Sequence, residues 1–353
     1  MRPKQSISNR TRVRHALFAL LFLLAVPAYT EFNDLFSSWS EFFDFFGDSN
    51  SGMVMFPSLL IPMGGKYEGM GTAFTAVADD SGLLEANPAG SSQLDHPELA
   101  FYHHNWIADS AVETIAFVTG NRIFGFGVGG KLFYSPFTSY DGAGERISTG
   151  YFSEILITGN GSMKLIDLTD RFSLSVGVNI KGIFRYVPEA IAADQSAFAL
   201  PLDVGVLARF RMPTFSSVKD KNAAVGAVLK NIAPTVYPMG YPVPTLLSVG
   251  IAYSPARPLL LALDANLPIS FDSSAFPAAQ FDLAGGIELT VTRFLAFHGG
   301  LHFKADNPRV SVGSTIDVGK VGFIVNYNVD LMGGLNPIDM FSATVTLDLG
   351  DKR

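Results

Sequence analysis

The chain has 353 residues, of which 48% are hydrophobic and only 16% charged, with a formal net charge of −7. This charged fraction is well below the roughly 25% of an average soluble domain, and it argues against a disordered chain and against a nucleic-acid-binding protein. Outside the N-terminus no stretch holds the about 18 consecutive apolar residues of a spanning helix, which excludes a polytopic helical membrane protein. The chain has no cysteine, so a disulfide scaffold, a thiol enzyme and a cysteine zinc site are excluded too.

Residues 1–28 have the pattern of a secretory signal. Five basic residues precede an apolar run from Ala16 to Val26, and Val26 and Ala28 stand at the −3 and −1 positions of a signal-peptidase site. We predict export and cleavage after Ala28; an uncleaved anchor is the alternative, although the apolar run is short for a span. Cleavage would leave 20 positive and 32 negative residues, a net charge of −12.

Residues 29–97 divide into an aromatic part and a loop-like part. Phe32, Phe36, Trp39, Phe43 and Phe46 are spaced by four, three, four and three residues, which predicts one face of a short helix. Such a helix either lies at a membrane interface or docks on a partner, or it packs on the rest of the chain. Residues 51–97 are rich in Pro and Gly and lack strand alternation, which indicates loops and short helices.

From residue 98 onward, apolar and polar residues alternate with a period of two, most clearly from Arg171 to Val187. We count fourteen such runs: 98–107, 110–119, 122–135, 150–168, 171–187, 197–212, 221–233, 244–255, 257–268, 279–292, 294–304, 309–316, 319–330 and 338–349. Most are long enough for a tilted strand to cross a bilayer. The prediction is an all-β fold, a transmembrane antiparallel β-barrel of about 14 strands at residues 98–353. A soluble β-sandwich is the alternative, but so few charges would leave its outer face poorly solvated.

Two motifs that suggest other chemistry do not fit. Gly125 to Lys131 matches part of a phosphate-binding loop, but Leu132 stands where that loop has Ser or Thr, and the stretch lies within a predicted strand. His298 and His302 would be about 13 Å apart along a strand, too far to share a metal ion. We therefore expect no enzyme activity, no cofactor and no metal.

The stretch GMGTAFTAVADDSGLLEANPAG, from Gly69 to Gly90, resembles the N-terminal hatch of the FadL family of outer-membrane transporters of hydrophobic compounds. The shared features are a start rich in Gly and Ala, an Ala-Asp-Asp and the Asn87-Pro88-Ala89 ahead of the first strand. More narrowly, the whole chain resembles the treponemal FadL-like outer-membrane proteins of an uncharacterised family. The resemblance implies a periplasmic Phe-rich helix and a lumen hatch at residues 29–97, followed by the barrel in the cell outer membrane.

The resemblance also implies passive uptake of long-chain fatty acids or other hydrophobic small molecules. Outer-membrane lipid and the barrel-insertion machinery are the other implied partners. The ligand would leave sideways through a gap at a kink in the third strand, beside Asn87, Pro88 and Ala89. On that strand we predict a gating role for the inward-facing glycines and their neighbour, namely Gly125, Gly127, Gly129 and Gly130. The glycines either leave room for the gap or let the hatch pack closely.

A ligand carboxylate in an apolar lumen needs a cation or a donor. Strand parity places six cations inward: Lys181, Arg185, Arg209, Arg211, Lys230 and Lys304. We predict the first four as ligand-binding residues, although inward acids such as Asp203, Asp282 and Glu288 could pair with them and merely fill the barrel. Two functions stay open, a transporter and an outer-membrane scaffold that docks surface or secreted proteins.

Overall fold

A computed structural model describes residues 55–350, except 108, 122, 169–170, 189–194, 215–220, 234–235, 238–242, 270–280, 305–307 and 331–337. The predicted signal and the predicted Phe-rich helix at 32–46 lie outside the described residues.

The described strands form one antiparallel sheet that closes on itself. Its order follows the chain, β4 pairs with β5, and β1 pairs with β15, so fourteen strands complete a barrel. The strands are β1 (Glu98–Asn105), β2 (Ala111–Gly120), β3 (Phe124–Tyr140), β4 (Arg146–Leu168), β5 (Phe172–Tyr186), β6 (Ala197–Ala199), β7 (Leu202–Phe210), β8 (Ala223–Ile232), β9 (Leu246–Ala256), β10 (Leu259–Pro268), β11 (Asp282–Thr292), β12 (Leu295–Lys304), β13 (Arg309–Val318), β14 (Val321–Asp330) and β15 (Ile338–Asp348). The short β6 is an extra strand beside the end of β5.

The two ends of the barrel differ in their connections. Two-residue turns at 257–258, 293–294 and 319–320 lie at one end, which we call the short-turn end. Connections of 13 residues lie at the other, the long-loop end, at 233–245 and 269–281. Because β1 begins and β15 ends at the short-turn end, the even number of barrel strands brings both termini of the barrel to one side.

Side chains alternate between the outside and the lumen, as the sequence predicts. On β4 and β5, outward Ile157 and Ile180 expose 61% and 66% of their area, whereas inward Glu154 and Asn179 are fully buried. The outer face is apolar, as contact with lipid requires. Because the sheet is closed, it has no unpaired strand edge that lipid would leave without hydrogen bonds. The predicted all-β barrel of 14 strands is confirmed.

The structure differs from the sequence prediction in two places. The run predicted at 197–212 divides into β6 and β7, because Pro201 between them has no N–H for the ladder. Residues 136–149, between the predicted runs 122–135 and 150–168, form a hairpin, in which β3 and β4 continue beyond their other neighbours and Ser135 to Tyr140 pair with Arg146 to Phe152.

Residues 55–97, here called the lumen segment, lie inside the barrel. The segment starts at the long-loop end, where Met55 and Phe56 pack with Ile183 and Val236, and it reaches the short-turn end at Pro97, directly before β1. Its short helices are Pro57–Leu59 and Pro88–Gln93, both 3-10, and α1 (Gly65–Gly69) and α2 (Leu83–Ala86). In the described part of the chain no helix has the length and hydrophobicity to cross a membrane.

Candidate functional site

The glycines predicted on the third strand face the lumen segment at very short range. A Cβ added at Gly125 would lie 2.1 Å from the carbonyl carbon of Ser91, and one at Gly127 or Gly129 would lie 2.9 Å from a methyl of Leu84. Real Cβ atoms do not approach backbone so closely, so glycine is required at least at Gly125. These distances favour the second of the two interpretations, in which glycine lets the lumen segment pack closely.

The wall formed by β2, β3 and β4 is closed. β2 and β3 pair without a register shift from Gly120 and Gly125 to Ala111 and Tyr134, and β3 and β4 pair without one as far as Ser139. Gly130 lies within this ladder. The structure therefore does not confirm the lateral exit implied for the third strand, since among the described residues β3 keeps both neighbours along this length.

Lumen-facing glycines on other strands make the same kind of contact. Three pairs lie opposite each other in the strand register. A Cβ at any of them would come within 2.0–2.9 Å of an atom of the lumen segment. Together with Gly125 we call them the glycine belt: Gly177 with Gly205, Gly226 with Gly250, and Gly286 with Gly300. Because glycine carries no side chain, the strand backbone at these positions lies close to the lumen segment; at Gly250 the Asp264 carboxylate also lies in this contact.

Asn87 ties the Asn-Pro-Ala turn to the barrel and to the rest of the lumen segment. Its Oδ1 accepts a hydrogen bond from the Ala89 amide at 3.0 Å, which caps the helix that begins at Pro88. Its Nδ2 donates to the carbonyl oxygens of Thr75 at 2.8 Å and of Val206 at 3.1 Å. Asn87 is fully buried, so each of these bonds replaces one that water would otherwise make.

Lys181 and Arg185 lie in the lumen toward the long-loop end, and both are paired. The Lys181 ammonium is 2.6 Å from the Asp203 carboxylate. Arg185 donates to Glu154 from Nε at 2.8 Å and from Nη2 at 2.7 Å, and its guanidinium stacks 5.2 Å from the centre of the Phe56 ring. Buried charges need such partners, and these contacts already satisfy both cations.

Arg209 and Arg211 lie at the short-turn end, away from the other two predicted residues. Arg209 donates to the Val77 carbonyl at 2.8 Å, and Arg211 follows the end of β7 and is exposed. The structure thus does not bring the four predicted residues together. Nothing is described of the Lys304 side chain.

A cavity of about 90 Å³ lies in the lumen toward the long-loop end, and three lysines line it. Lys131 is 2.6 Å from Glu85, and Lys181 is paired with Asp203. Lys230 is the third. It is buried, and within the described residues it makes neither a hydrogen bond nor an ion pair. The lysine that can receive an anionic ligand is therefore Lys230.

The backbone next to Lys230 is irregular, which explains why this lysine has no hydrogen-bond or ion-pair partner among the described residues. The next residue, Asn231, has φ 57°, and the register of β7 and β8 shifts between Leu202 and Val204. Here the Asn231 amide donates to Oδ1 of Asp203 at 2.8 Å, and Lys181 is 2.6 Å from Oδ2 of the same carboxylate, so Asp203 is already engaged by both. Parity predicts that Lys230 points inward, but a register shift leaves no clear signal in the sequence.

A second cavity, of about 250 Å³, lies at the short-turn end between the lumen segment and β7–β11. Small side chains line much of it, and Arg209 borders it. The small residues are Ala76, Val77, Ala223, Ala224 and Ala252.

Comparison with known proteins agrees with this architecture. A model of the uncharacterised protein family UPF0164 matches residues 41–351. The chain belongs to this family. A UPF0164 protein of Treponema pallidum (strain Nichols) is 29% identical over 277 residues, which are 74% of this chain and 63% of that protein. A second one from the same organism is 34% identical over 125 residues, 35% of this chain and 31% of that protein. The chain thus spans less than two thirds of the length of the relatives that it matches.

Among solved structures, FadL-type barrels share this fold. A Pseudomonas aeruginosa FadL homologue has a TM-score of 0.53 at 12% identity and covers 82% of this chain and 98% of its own. The CymD monoaromatic hydrocarbon channel has a TM-score of 0.56 at 12% identity, with coverages of 83% and 99%. The FadL-like resemblance stated from the sequence is confirmed at the level of the fold.

Proposed function

We propose that this UPF0164 protein is a passive outer-membrane channel for long-chain fatty acids or similar hydrophobic molecules with an acidic end. In outer-membrane barrels the short turns face the periplasm and the longer loops face the exterior, so the Lys230 cavity is the one nearer the exterior. The observation that carries the proposal is the buried Lys230 ammonium in that cavity, which among the described residues has no hydrogen-bond or ion-pair partner; the carboxylates that attract it, Asp264 and Asp203, lie beyond ion-pair distance. An unpaired buried charge is costly, and a ligand carboxylate would relieve the cost.

The lining of the Lys230 cavity suits the rest of such a ligand. Aliphatic side chains from the lumen segment and the barrel form part of its wall: Ile61, Leu84, Leu156 and Leu246. CymD is titled a monoaromatic hydrocarbon channel, and a hydrocarbon has no acidic group for a lysine to bind. Lys230 therefore favours an acidic amphipath over a plain hydrocarbon as the ligand here.

The volume of the cavity limits what enters it. About 90 Å³ is well under the roughly 300–1,000 Å³ of a pocket for a drug-sized ligand. The polar end and a few methylenes fit, whereas a complete long chain requires part of the lumen segment to move.

The test is equilibrium binding of a fluorescent long-chain fatty acid to the refolded barrel, with unlabelled oleate as the competitor. Lys230→Met keeps a side chain of similar length without the charge. We expect it to raise Kd about tenfold to a hundredfold, the effect of losing one charge-assisted contact. A fatty alcohol of the same chain length should bind wild type and variant alike, because it makes no use of the charge.

Lys164→Met is the matched control, since Lys164 lies near the end of β4 and pairs with Asp167 at 3.5 Å, outside the Lys230 cavity. It should leave Kd unchanged. Saturable binding that Lys230→Met does not weaken would remove Lys230 from the site. A folded barrel without any saturable binding would contradict the proposed function.

The hairpin beyond the barrel favours a second candidate function, the docking of a surface or secreted protein. Its residues Tyr140 and Ile147 expose 62% and 64% of their area. Replacing residues 138–148 by a two-residue turn should leave fatty-acid binding unchanged if the hairpin serves only docking. A loss of fatty-acid binding would instead make the hairpin part of the channel.

A further inference from the structure

The two cavities lie along the same four strands, β8 to β11, and one short stretch of the lumen segment separates them. On β8, Lys230 lines the upper cavity and Ala224 the lower one. Between them Gly226 faces Thr75, whose carbonyl oxygen lies 2.3 Å from the place of a Cβ. β10 repeats the pattern, with Asn266 lining the upper cavity and Leu260 the lower one. The path between the cavities is therefore blocked at the level of Thr75.

One barrel carboxylate holds this stretch in place. Asp264 on β10 accepts hydrogen bonds through Oδ2 from the amides of Phe74 at 2.9 Å and of Thr75 at 2.7 Å. Asp264 is buried, and its other oxygen, Oδ1, has no hydrogen-bond partner. Among the described residues, the Asp264 side chain therefore forms hydrogen bonds only with the lumen segment.

The same stretch is bounded by two strained residues. Thr72 has φ 69° and Ala78 has φ 36°, both in the left-handed region although neither is glycine. For a β-branched residue such as Thr72 this conformation is a true outlier. Strain of this kind persists only where surrounding contacts enforce it, and it is concentrated at switch regions. Releasing the Asp264 contacts would let both residues relax.

We propose that residues 72–78 form a gate between the two cavities and that Asp264 is its latch. This proposal rests on the proposed function. The acidic amphipath would follow an axial route, from Lys230 past the displaced Phe74–Thr75 stretch into the lower cavity bordered by Arg209. The closed β3 wall is consistent with this route, since it leaves no described opening on that side. The lower cavity is then part of this route, and the carboxylates of Asp79 and Glu288 line it together with Arg209.

The decisive experiment is conductance of the refolded barrel in planar bilayers, because ions report an open path whatever the ligand is. Asp264→Ala removes the acceptor for two buried amides, and we expect the open fraction to rise about tenfold or more. Asp264→Asn is the conservative control, since its amide oxygen can replace Oδ2, and it should resemble wild type. Asp264→Ser keeps a polar group too short to reach the amides and serves as a second open variant if alanine prevents folding.

Asn326→Ala is the matched control on β14, four strands from Asp264 in the sheet order. Asn326 donates to the Gly65 carbonyl at 2.8 Å, so its loss also frees the lumen segment, but away from the two cavities. We expect no rise in conductance. An unchanged open fraction in folded Asp264→Ala and Asp264→Ser, or an equal rise in Asn326→Ala, would overturn the gate.

Uptake of the fluorescent fatty acid into vesicles separates the gate from the proposed function. Asp264→Ala should speed uptake. If the variant conducts ions faster but neither variant nor wild type binds fatty acid, the gate stands and the proposed ligand is wrong. If fatty acid binds and crosses at the same rate in both, the ligand stands and the gate is overturned.

Discussion

The barrel walls on the two sides of the lumen contact the lumen segment in different ways. At β3, backbone meets backbone: Gly125 lies against Ser91, and Leu84 covers the next inward glycines. At β8 to β11 the contacts are made by Met70, Phe74 and Thr75, with a cavity above and below. Gly125 therefore marks close packing at β3, whereas Gly129 and Gly130 farther along that strand border the upper cavity with Lys131.

The largest expected effect comes from filling the contact at β3. Gly125→Ala would place a Cβ 2.1 Å from Ser91 backbone, which cannot shift without moving the lumen segment. We expect a loss of about 3 kcal/mol or more in the free energy of unfolding, measured by urea titration of the refolded barrel. Gly285→Ala is the control, because its Cβ would meet only Leu263 at an ordinary 3.5 Å. Equal stability of the two variants would disprove the close packing at β3.

A smaller effect is expected at the junction of the two regions. Asn87→Ala breaks the link between Thr75 and β7 and also uncaps Ala89, and we expect a loss of about 2 kcal/mol. Asn121 is a matched control, since its side chain also bonds to backbone, accepting from the amides of Ile123 and Phe124, but at an exposed turn. Asn121→Ala should cost about 0.5 kcal/mol. If it costs as much as Asn87→Ala, burial does not set the strength of the Asn87 contacts.

The smallest effect concerns the turn between Thr75 and Leu84. Burial and the nearby Glu98 carboxylate raise the pKa of Asp80 above its ordinary value. An acid with a raised folded-state pKa costs stability when it is ionised, so the cost is full above that pKa and disappears below the unfolded value of about 3.9. Asp80→Asn should therefore stabilise the barrel at pH 8 and have little effect near pH 4, as measured by urea titration. A gain that does not depend on pH would refute the electrostatic cause.

The strands could be predicted from the sequence because alternation is a local signal. The run predicted from Arg171 to Val187 is β5, from Phe172 to Tyr186. The sequence does not predict the extension of β3 and β4, because Pro136, Gly142 and Gly144 indicate a loop. Pairing across the hairpin overrides that local preference.

The site could be predicted only in part, because a charge's partner depends on strand register. Parity correctly places Lys181 and Arg185 inward. Parity does not show that Arg185 stands opposite Glu154. It also does not show that Lys230 has no carboxylate within ion-pair distance among the described residues. Residues 72–78 carry no local signal of strain either, since Thr and Ala adopt a left-handed conformation only under tertiary constraint.

The lumen segment runs through the barrel from one mouth to the other, and this sets a condition on assembly. Closure joins β1 to β15, where Tyr102 stands opposite Thr344, and pairings so distant in sequence form slowly. If the ring closes first, the segment must be threaded through the closed barrel and then fold against the glycine belt. Wrapping the strands around a segment already in place avoids that threading step. The lumen segment then acts as a template, on which the growing sheet lies by its glycine belt and takes its curvature before its two edges meet.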